Sequence, residues 1–268
     1  MKYRSSGFTL VEMLVTISVI TTLGTLAAVG VRSAREKAKT IVEINAARNL
    51  ITGYLGYAAE NNGQVLPGYL PDPSVTNLQG ELLGYPMNAR YPWRLAPSVP
   101  AVKGIMVFNG NESMLEMNDS DYRVSVGPNL GLNATLVGGH FGSGSPLAPT
   151  PRIIAAYGKF YLSHLAESDE PGKLVVFTSA RSGQGKAGYF EVRPPSLTGR
   201  VWRGGKFTDE SPASAYGFVD FRWGGKAVAV MLGGNVELLD ETRLRDMRRW
   251  SHQAARANDS DFMISRSP

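Results

Sequence analysis

The feature that most constrains this chain is an apolar run near its N-terminus. From Phe8 to Val31 the sequence contains no Lys, Arg, His or Asp, and its single charged residue is Glu12. About 20 apolar residues in a helix cross a hydrocarbon core of about 30 Å, so the run is long enough to span a bilayer. Basic residues flank it on both sides, so the positive-inside rule orients it only weakly. We expect the short leader before Phe8 to stay cytoplasmic.

Two ordinary interpretations of this run leave features unexplained. A cleaved secretory signal peptide normally has an apolar region of about 7–15 residues and a small-residue cleavage site. The run is longer than that, although TLAAVG (25–30) offers small residues. A plain membrane anchor explains the length but not Glu12, which adds roughly 2–3 kcal/mol to the cost of insertion at the bilayer centre.

A third interpretation comes from the seven residues SGFTLVE (6–12). This stretch resembles the processing site of type IV prepilins and type II secretion pseudopilins. In that family a membrane-embedded prepilin peptidase cuts after the Gly of a short basic leader and methylates the new N-terminal amine. The resemblance implies that Gly7 ends the leader, that Phe8 becomes the N-terminus and that Glu12 is the fifth mature residue.

The chemistry of Glu12 agrees with this resemblance. An unpaired carboxylate in apolar surroundings is unfavourable, and a nearby positive charge relieves it. Cleavage would create such a charge on the amine of Phe8, one helical turn away. In a filament, the amine of an incoming subunit can pair with Glu12 of its neighbour. Such a pair sets axial register more than it adds stability.

A helical pattern continues beyond the apolar run. Small and aliphatic residues recur at three- and four-residue spacing at Ala34, Ala38, Ile41, Ile44, Ala47, Ile51, Leu55 and Ala58. Asn61-Asn62-Gly63 is a stop signal, so the sequence predicts one helix from Phe8 to Glu60. The predicted domains are the leader (1–7), a transmembrane part (8–31), an amphipathic continuation (32–62) and a β-rich globular domain (63–268).

The predicted fold class is therefore α+β, in which a long N-terminal transmembrane helix packs on a globular domain with an antiparallel β-sheet. Short apolar runs bounded by Gly, Asn and Pro predict strands at 104–109, 122–126, 173–179, 188–192, 216–223, 226–232 and 235–239. The last two would form a terminal hairpin. The segment 222–236 also resembles a C-terminal segment of some bacterial pseudopilin-like proteins. Trp223, Gly233 and Asn235 replace its His, Asp and His, so their polar contact is expected to be lost.

The sequence of residues 240–257 predicts a basic C-terminal helix that is capped by Asp240. Its arginines include Arg245, Arg248 and Arg249, with Trp250 beside them. This run could contact DNA phosphates, which makes a DNA-uptake pilin one alternative function. A solvated charged face is the usual alternative for such a run.

Other chemistries find little support in the sequence. The absence of Cys excludes disulfides, zinc–thiolate sites and Cys nucleophiles. The loop 180–188 lacks the first Gly and the hydroxyl of a phosphate-binding loop. His140 near Ser143 and Ser145 lacks the strand–turn–helix setting of a nucleophile elbow. Asp209, Glu210 and Asp220 show no regular calcium-loop spacing. We therefore expect no catalytic residues, no metal and no cofactor.

The sequence predicts a structural pilin-like subunit rather than an enzyme. Its expected partners are prepilin peptidase, other pilin or pseudopilin subunits in a homo- or hetero-filament, the inner-membrane assembly platform and membrane lipid, with no small-molecule substrate. The expected location is the bacterial inner membrane, crossed once, with the globular domain periplasmic or extracellular. The main alternative is a ligand-binding or enzymatic domain on an ordinary signal anchor.

Overall fold

The computed structural model describes residues 9–99, 101–145, 147–183 and 186–266. They divide into two compact units, Met1–Ile41 and Val42–Pro268. Helix α1, Leu10–Glu60, is continuous in both. It ends where Asn62 and Gly63 take left-handed φ values of 55° and 83°. Such φ values are available to Asn and Gly at low cost, and they stop the helix after Glu60.

In the second unit, α1 buries one stripe of its surface. The buried positions are Glu43, Ala46, Ala47, Leu50, Ile51, Gly53, Tyr54 and Ala58. This stripe is rotated from the predicted one, because Ile41 is 57% exposed and Leu50 and Tyr54 are buried instead. Periodicity fixes that a helix has an apolar face, but the neighbouring elements decide where that face is centred.

A four-stranded antiparallel sheet lies in the same unit. Its strands are β1 (Leu130–Leu132), β2 (Val175–Ser179), β5 (Lys226–Met231) and β6 (Val236–Asp240). A second, two-stranded sheet contains β3 (Arg181–Gly183) and β4 (Lys186–Ala187). The sheet order is β1-β2-β5-β6, and β3 pairs with β4. This long helix and antiparallel sheet confirm the predicted α+β class.

Strand β5 shows how the sheet separates two cores. Val228 and Val230 pack in a first core together with Leu50, Ile51 and other residues of α1. Ala227, Ala229 and Met231 alternate with them and pack in a second core on the opposite face. Alternation is expected because successive side chains of a strand point to opposite faces. Each face of the sheet is therefore covered, the first by α1 and the second by the C-terminal part of the chain.

The hairpin formed by β5 and β6 closes with a tight turn. Gly234 has a φ of 91°, which glycine adopts without strain. A Cβ at Gly233 would lie 3.0 Å from the backbone of Gly172, so the aspartate of the similar pseudopilin-like segment would crowd this turn. Asn235 donates from Nδ2 to the carbonyl oxygen of Gly172 at 3.1 Å. A different polar contact thus braces the turn.

The predicted strands at 104–109, 122–126, 188–192 and 216–223 are wrong, since the last two ranges contain β-structure only as isolated bridge residues and the first two are partly or wholly helical. The remaining α-helices are α2 (Tyr91–Leu95), α3 (Val102–Met106), α4 (Ser120–Val126), α5 (Pro151–Tyr157), α6 (Glu241–Leu244) and α7 (His252–Ala257). Helices α3 and α4 occupy two stretches predicted as strands. Val102, Met106 and Val124 are all buried in the first core, and helical spacing brings Val102 and Met106 to one side. Burial, rather than β propensity, decides such short apolar runs.

The prediction of a single basic C-terminal helix is also wrong. Residues 241–257 form α6, a 3-10 turn at Met247–Arg249 and α7. The side chain of Asp246 accepts from the backbone NH of Arg248, and that of Ser251 accepts from the NH of Ala254. Asp and Ser favour such caps over a helix interior, so each restarts the chain in a new short turn.

Candidate functional site

The predicted processing site begins before the described part of the chain. Gly7 and Phe8 lie outside the described residues, so cleavage between them remains a prediction. The described chain starts at Thr9, immediately before α1, and Glu12 lies in the first turn of that helix.

Thr9 and Glu12 form a reciprocal cap at the start of α1. The backbone NH and the hydroxyl of Thr9 both donate to Glu12 Oε2 at 2.8 Å, and the NH of Glu12 donates to Thr9 Oγ1 at 3.2 Å. The T-x-x-E spacing of TLVE is that of a capping box, in which two otherwise unpaired amides gain partners. This matters most in a bilayer, because lipid offers no hydrogen bonds to the first turn of a helix.

The segment after this cap is apolar on all sides. An 18-residue window within α1 has a mean hydropathy of 2.0, and none of it is buried. Its hydroxyl groups are satisfied within the helix: Thr16, Ser18, Thr21, Thr22 and Thr25 each donate to the carbonyl oxygen four residues earlier. Such back-bonding removes the need for water. A signal sequence would satisfy the same length and composition, so the distinction depends on the processing motif.

Glu12 has no cationic partner in the described part of the chain. Its hydrogen bonds come from Thr9 alone, and no ion pair includes it. The nearest following cation in the sequence is Arg32, 20 residues further along the helix, or about 30 Å at 1.5 Å per residue. A positive charge for Glu12 must therefore come from the segment before Thr9 or from another molecule.

The arginines predicted to contact nucleic acid are largely paired within the body. Arg245 Nη2 lies 2.6 Å from Glu241 Oε1, and Arg248 Nη2 lies 2.8 Å from Asp246 Oδ2. Arg249 is half-buried, and it lines a shallow pocket together with Arg248. Trp250 is buried and its indole NH donates to the carbonyl oxygen of Leu244. Trp250 is therefore a core residue and not a platform for stacking bases.

The arrangement around His140 does not resemble a nucleophilic site. Its Nδ1 accepts from the backbone NH of Gly142 at 3.2 Å, and its Nε2 lies 3.4 Å from Glu191 Oε2. The ring stacks on Tyr69 with 4.5 Å between centroids. Both ring nitrogens thus face partners other than Ser143 or Ser145. In the described ranges, no group of three or more His, Asp or Glu residues is placed to hold a metal.

Sequence reasoning missed the buried carboxylate Glu43. It lies in the buried stripe of α1 with no exposed surface. Ser179 Oγ donates to Glu43 Oε1 at 2.5 Å and accepts from the backbone NH of Val228 at 2.8 Å. Arg222 Nε lies 3.9 Å from Glu43 Oε2. The signal was present in the sequence, because Glu43 is spaced four residues before Ala47 and seven before Leu50 on one helical face.

The charges around Glu43 balance only in part. Arg222 Nε is also 3.3 Å from Asp220 Oδ2, so one guanidinium serves two carboxylates. Burial raises the pKa of Glu43, while the charge of Arg222 and the hydrogen bond from Ser179 act against that rise. Glu43 therefore ties α1 to β2 and to the segment before β5 through a polar contact in an otherwise apolar interface.

Comparison with known families supports the N-terminal site. Residues 2–28 match the family model described as the prokaryotic N-terminal methylation motif. The matched range includes Gly7, Phe8 and Glu12. No curated protein and no solved structure matches the chain. The motif and the long apolar helix fit a protein anchored in the bacterial inner membrane, and the motif suggests processing by prepilin peptidase and assembly with other pilin subunits. The match to this motif supports the resemblance to type IV pilins and pseudopilins, and the α+β fold is consistent with it.

Proposed function

We propose that this chain is a structural subunit of a filament, either a type II secretion pseudopilus or a type IV pilus-like fibre, and not an enzyme. Prepilin peptidase removes residues 1–7 and methylates the amine of Phe8. The subunit then leaves the membrane for the filament through the inner-membrane assembly platform, and α1 packs against the helices of other subunits. The observation that carries the proposal is Glu12, which caps the start of an exposed apolar helix within the matched motif and has no cationic partner in the part of the chain that the structure describes.

The geometry at Glu12 supports a contact between subunits. In the capping box both hydrogen bonds from Thr9 go to Oε2, so Oε1 takes no part in the box. A carboxylate can accept about four hydrogen bonds, so an amine can be added without breaking the cap. An amine on the neighbouring subunit's Phe8 would supply the positive charge that Glu12 lacks among the described residues.

The proposed topology follows from the same segment. The short leader stays in the cytoplasm, residues 8–31 cross the bilayer once, and the body from residue 63 onward is periplasmic or extracellular. The amphipathic continuation, residues 32–62, connects the membrane-spanning part to the body. The basic residues on each side of the apolar run would lie among lipid headgroups before assembly.

The deciding experiment is the N-terminal mass of the protein purified from membranes. We expect a methylated Phe8 when prepilin peptidase is present, and residues 1–7 retained when the peptidase is deleted. Gly7→Leu should block cleavage, whereas Ser6→Ala should leave it intact and serves as the matched control. A mature N-terminus further along the chain, for example after TLAAVG, would show a signal peptide and contradict the proposal.

A further inference from the structure

A short hairpin on the globular body exposes aliphatic side chains beside the carboxylate of Glu81. In this hairpin, residues 75–83, the NH of Leu83 donates to the carbonyl oxygen of Val75. Leu78 and Leu82 at its tip are 56% and 72% exposed. Glu81 lies between them and forms no ion pair among the described residues. Exposed leucines grouped in this way are typical of interaction surfaces.

The hairpin tip is rigid. Asn77 Oδ1 accepts from the backbone NH groups of Gln79 and Glu81, and Asn77 Nδ2 donates to Asp121 Oδ2 at 2.9 Å. In the segment that precedes Asp121, Glu112 and Glu116 are exposed and form no ion pair among the described residues, whereas Asp121 itself pairs with Lys103 Nζ at 3.1 Å. A surface that is held in one conformation loses less entropy when a partner binds. We call residues 75–83 the acidic hairpin.

A groove elsewhere on the body has the complementary chemistry. It has a volume of about 190 Å³. Its lining includes Arg200, Trp202, Arg245, Met247, Asp261 and Met263. Arg245 is paired with Glu241, but Arg200 is exposed and forms no ion pair within the described ranges. We call it the arginine groove.

Further cations surround the arginine groove. Arg245 Nη2 donates to the carbonyl oxygens of Arg203 and Gly205 at 3.0 Å, which holds the loop 203–206 against α6. Arg203, Lys206 and Arg243 are exposed on these two segments, and none forms an ion pair among the described residues. They outnumber the carboxylates Asp209 and Glu210 that follow in the loop. The rim of the arginine groove is therefore basic, and its charge is opposite to that of the acidic hairpin.

The two surfaces belong to opposite sides of the sheet. Val75 and Leu83 of the hairpin pack in the first core, with α1, whereas Trp202 and Met247 of the groove pack in the second core. Complementary surfaces at different places on one body make a heterologous contact, and repeating such a contact produces an open helical array when the rotation does not close into a ring. The same chain therefore carries two surfaces of complementary charge at different places on its body.

We infer that the acidic hairpin of one copy docks in the arginine groove of the next copy, with Leu82 against the exposed Met263 and Glu81 beside Arg200. The inference rests on the proposed filament function and names the contact between the bodies. Leu82 loses water-exposed apolar surface, and the pairing of Glu81 with Arg200 fixes the orientation.

Disulfide trapping tests this contact cleanly because the chain contains no native Cys. Two differently tagged copies, one with Leu82→Cys and the other with Met263→Cys, are co-expressed, and the membranes are oxidised. We expect a mixed disulfide dimer at least about tenfold above the matched control, which pairs Leu82→Cys with a cysteine at the exposed Arg152. All these positions are exposed, so the thermal midpoint should not change.

Charge reversal at Glu81 and Arg200 provides a second test of the contact. Glu81→Arg and Arg200→Glu should each reduce the trapped dimer about tenfold, and the two variants on partner copies should restore it to within about twofold. Glu60→Arg, at the exposed end of α1, is the control for a general change in charge.

A trapped fraction no higher than the control, or charge reversals without mutual rescue, would overturn the docking contact. Efficient trapping between two Leu82→Cys copies would show a symmetric dimer and would also overturn it. The N-terminal mass of the same samples separates the two proposals, because a methylated Phe8 without trapping leaves the filament proposal standing and removes only this contact.

Discussion

At the scale of single residues, Glu12 combines two roles that are usually considered separately. Its side chain caps α1 by accepting from Thr9, and its charge has no partner among the described residues. A capping box tolerates Gln in place of Glu, but an ion pair does not. The two roles can therefore be separated by substitution.

We expect Glu12→Gln and Glu12→Ala both to be cleaved after Gly7 and both to lose filament incorporation by about tenfold or more, because each removes the charge. Thr9→Val should retain most incorporation, since it removes the hydroxyl of the cap, worth about 1 kcal/mol, and keeps the carboxylate. Quantitative immunoblots of sheared filaments measure the effect. Wild-type incorporation of Glu12→Gln would show that capping, not charge, explains Glu12.

At the scale of elements, the contact of α1 with the sheet combines close packing with imperfect polar satisfaction. Tyr54 meets Phe177 of β2 edge-on, with 5.5 Å between ring centroids. Its hydroxyl is buried and has no hydrogen-bond partner within the described ranges. Burying a hydroxyl without a partner costs free energy, and the contact between the two rings does not depend on that hydroxyl.

Tyr54→Phe should therefore leave the fold intact and raise the free energy of unfolding by up to about 1 kcal/mol, because the ring remains and the unpaired hydroxyl is removed. Tyr91→Phe is the matched control, since the hydroxyl of Tyr91 donates to the carbonyl oxygen of Leu130 at 2.5 Å and its loss should destabilise. Chemical denaturation of the full chain in detergent measures both. A clear loss of stability in Tyr54→Phe would reveal a partner for that hydroxyl.

The polar contact between Glu43 of α1 and Ser179 should respond in the opposite way, because removing it should lower the free energy of unfolding. Glu43→Ala should lower the free energy of unfolding by about 2–4 kcal/mol, because it leaves Ser179 and Arg222 buried with fewer partners. Glu43→Gln should cost less, since its amide oxygen can still accept from Ser179. Equal stability of the two variants would show that the hydrogen bond to Ser179 contributes little.

At the scale of the whole molecule, two buried histidines contribute to the response to mild acid. Burial lowers the pKa of both His140 and His252. The unfolded chain takes up protons at these residues near pH 6.5, and the folded chain does so only at lower pH. Stability is therefore present above pH 6.5 and is lost as the pH falls. The raised pKa of Glu43 opposes this loss in part, because that carboxyl favours protonation in the folded state.

The free energy of unfolding should accordingly decrease between about pH 7 and pH 5, by at most about 1.4 kcal/mol per pH unit for each histidine. The double variant His140→Asn, His252→Asn should show a flatter profile over the same range. Denaturant titrations of the full chain at each pH provide the measurement. An unchanged slope in the double variant would assign the pH dependence to other groups.

The sequence by itself determined the long N-terminal helix of this protein and where it ends. The apolar run, the TLVE spacing and the stop at Asn61-Asn62-Gly63 depend on interactions within a few residues, and such local signals can be read directly. The matched motif and the observed end of α1 at Glu60 agree with that reading. The body was predictable in class, because alternation along β5 is also a local pattern.

Only the tertiary structure decided which short apolar runs became strands and which polar residues were shared between distant segments. Runs such as 122–126 suit a strand or a helix equally, so burial against the first core decides between them. Glu43 meets Ser179, which is 136 positions away along the chain, and Arg248 meets Asp246 instead of solvent. These pairings depend on long-range packing, which no local pattern in the sequence contains.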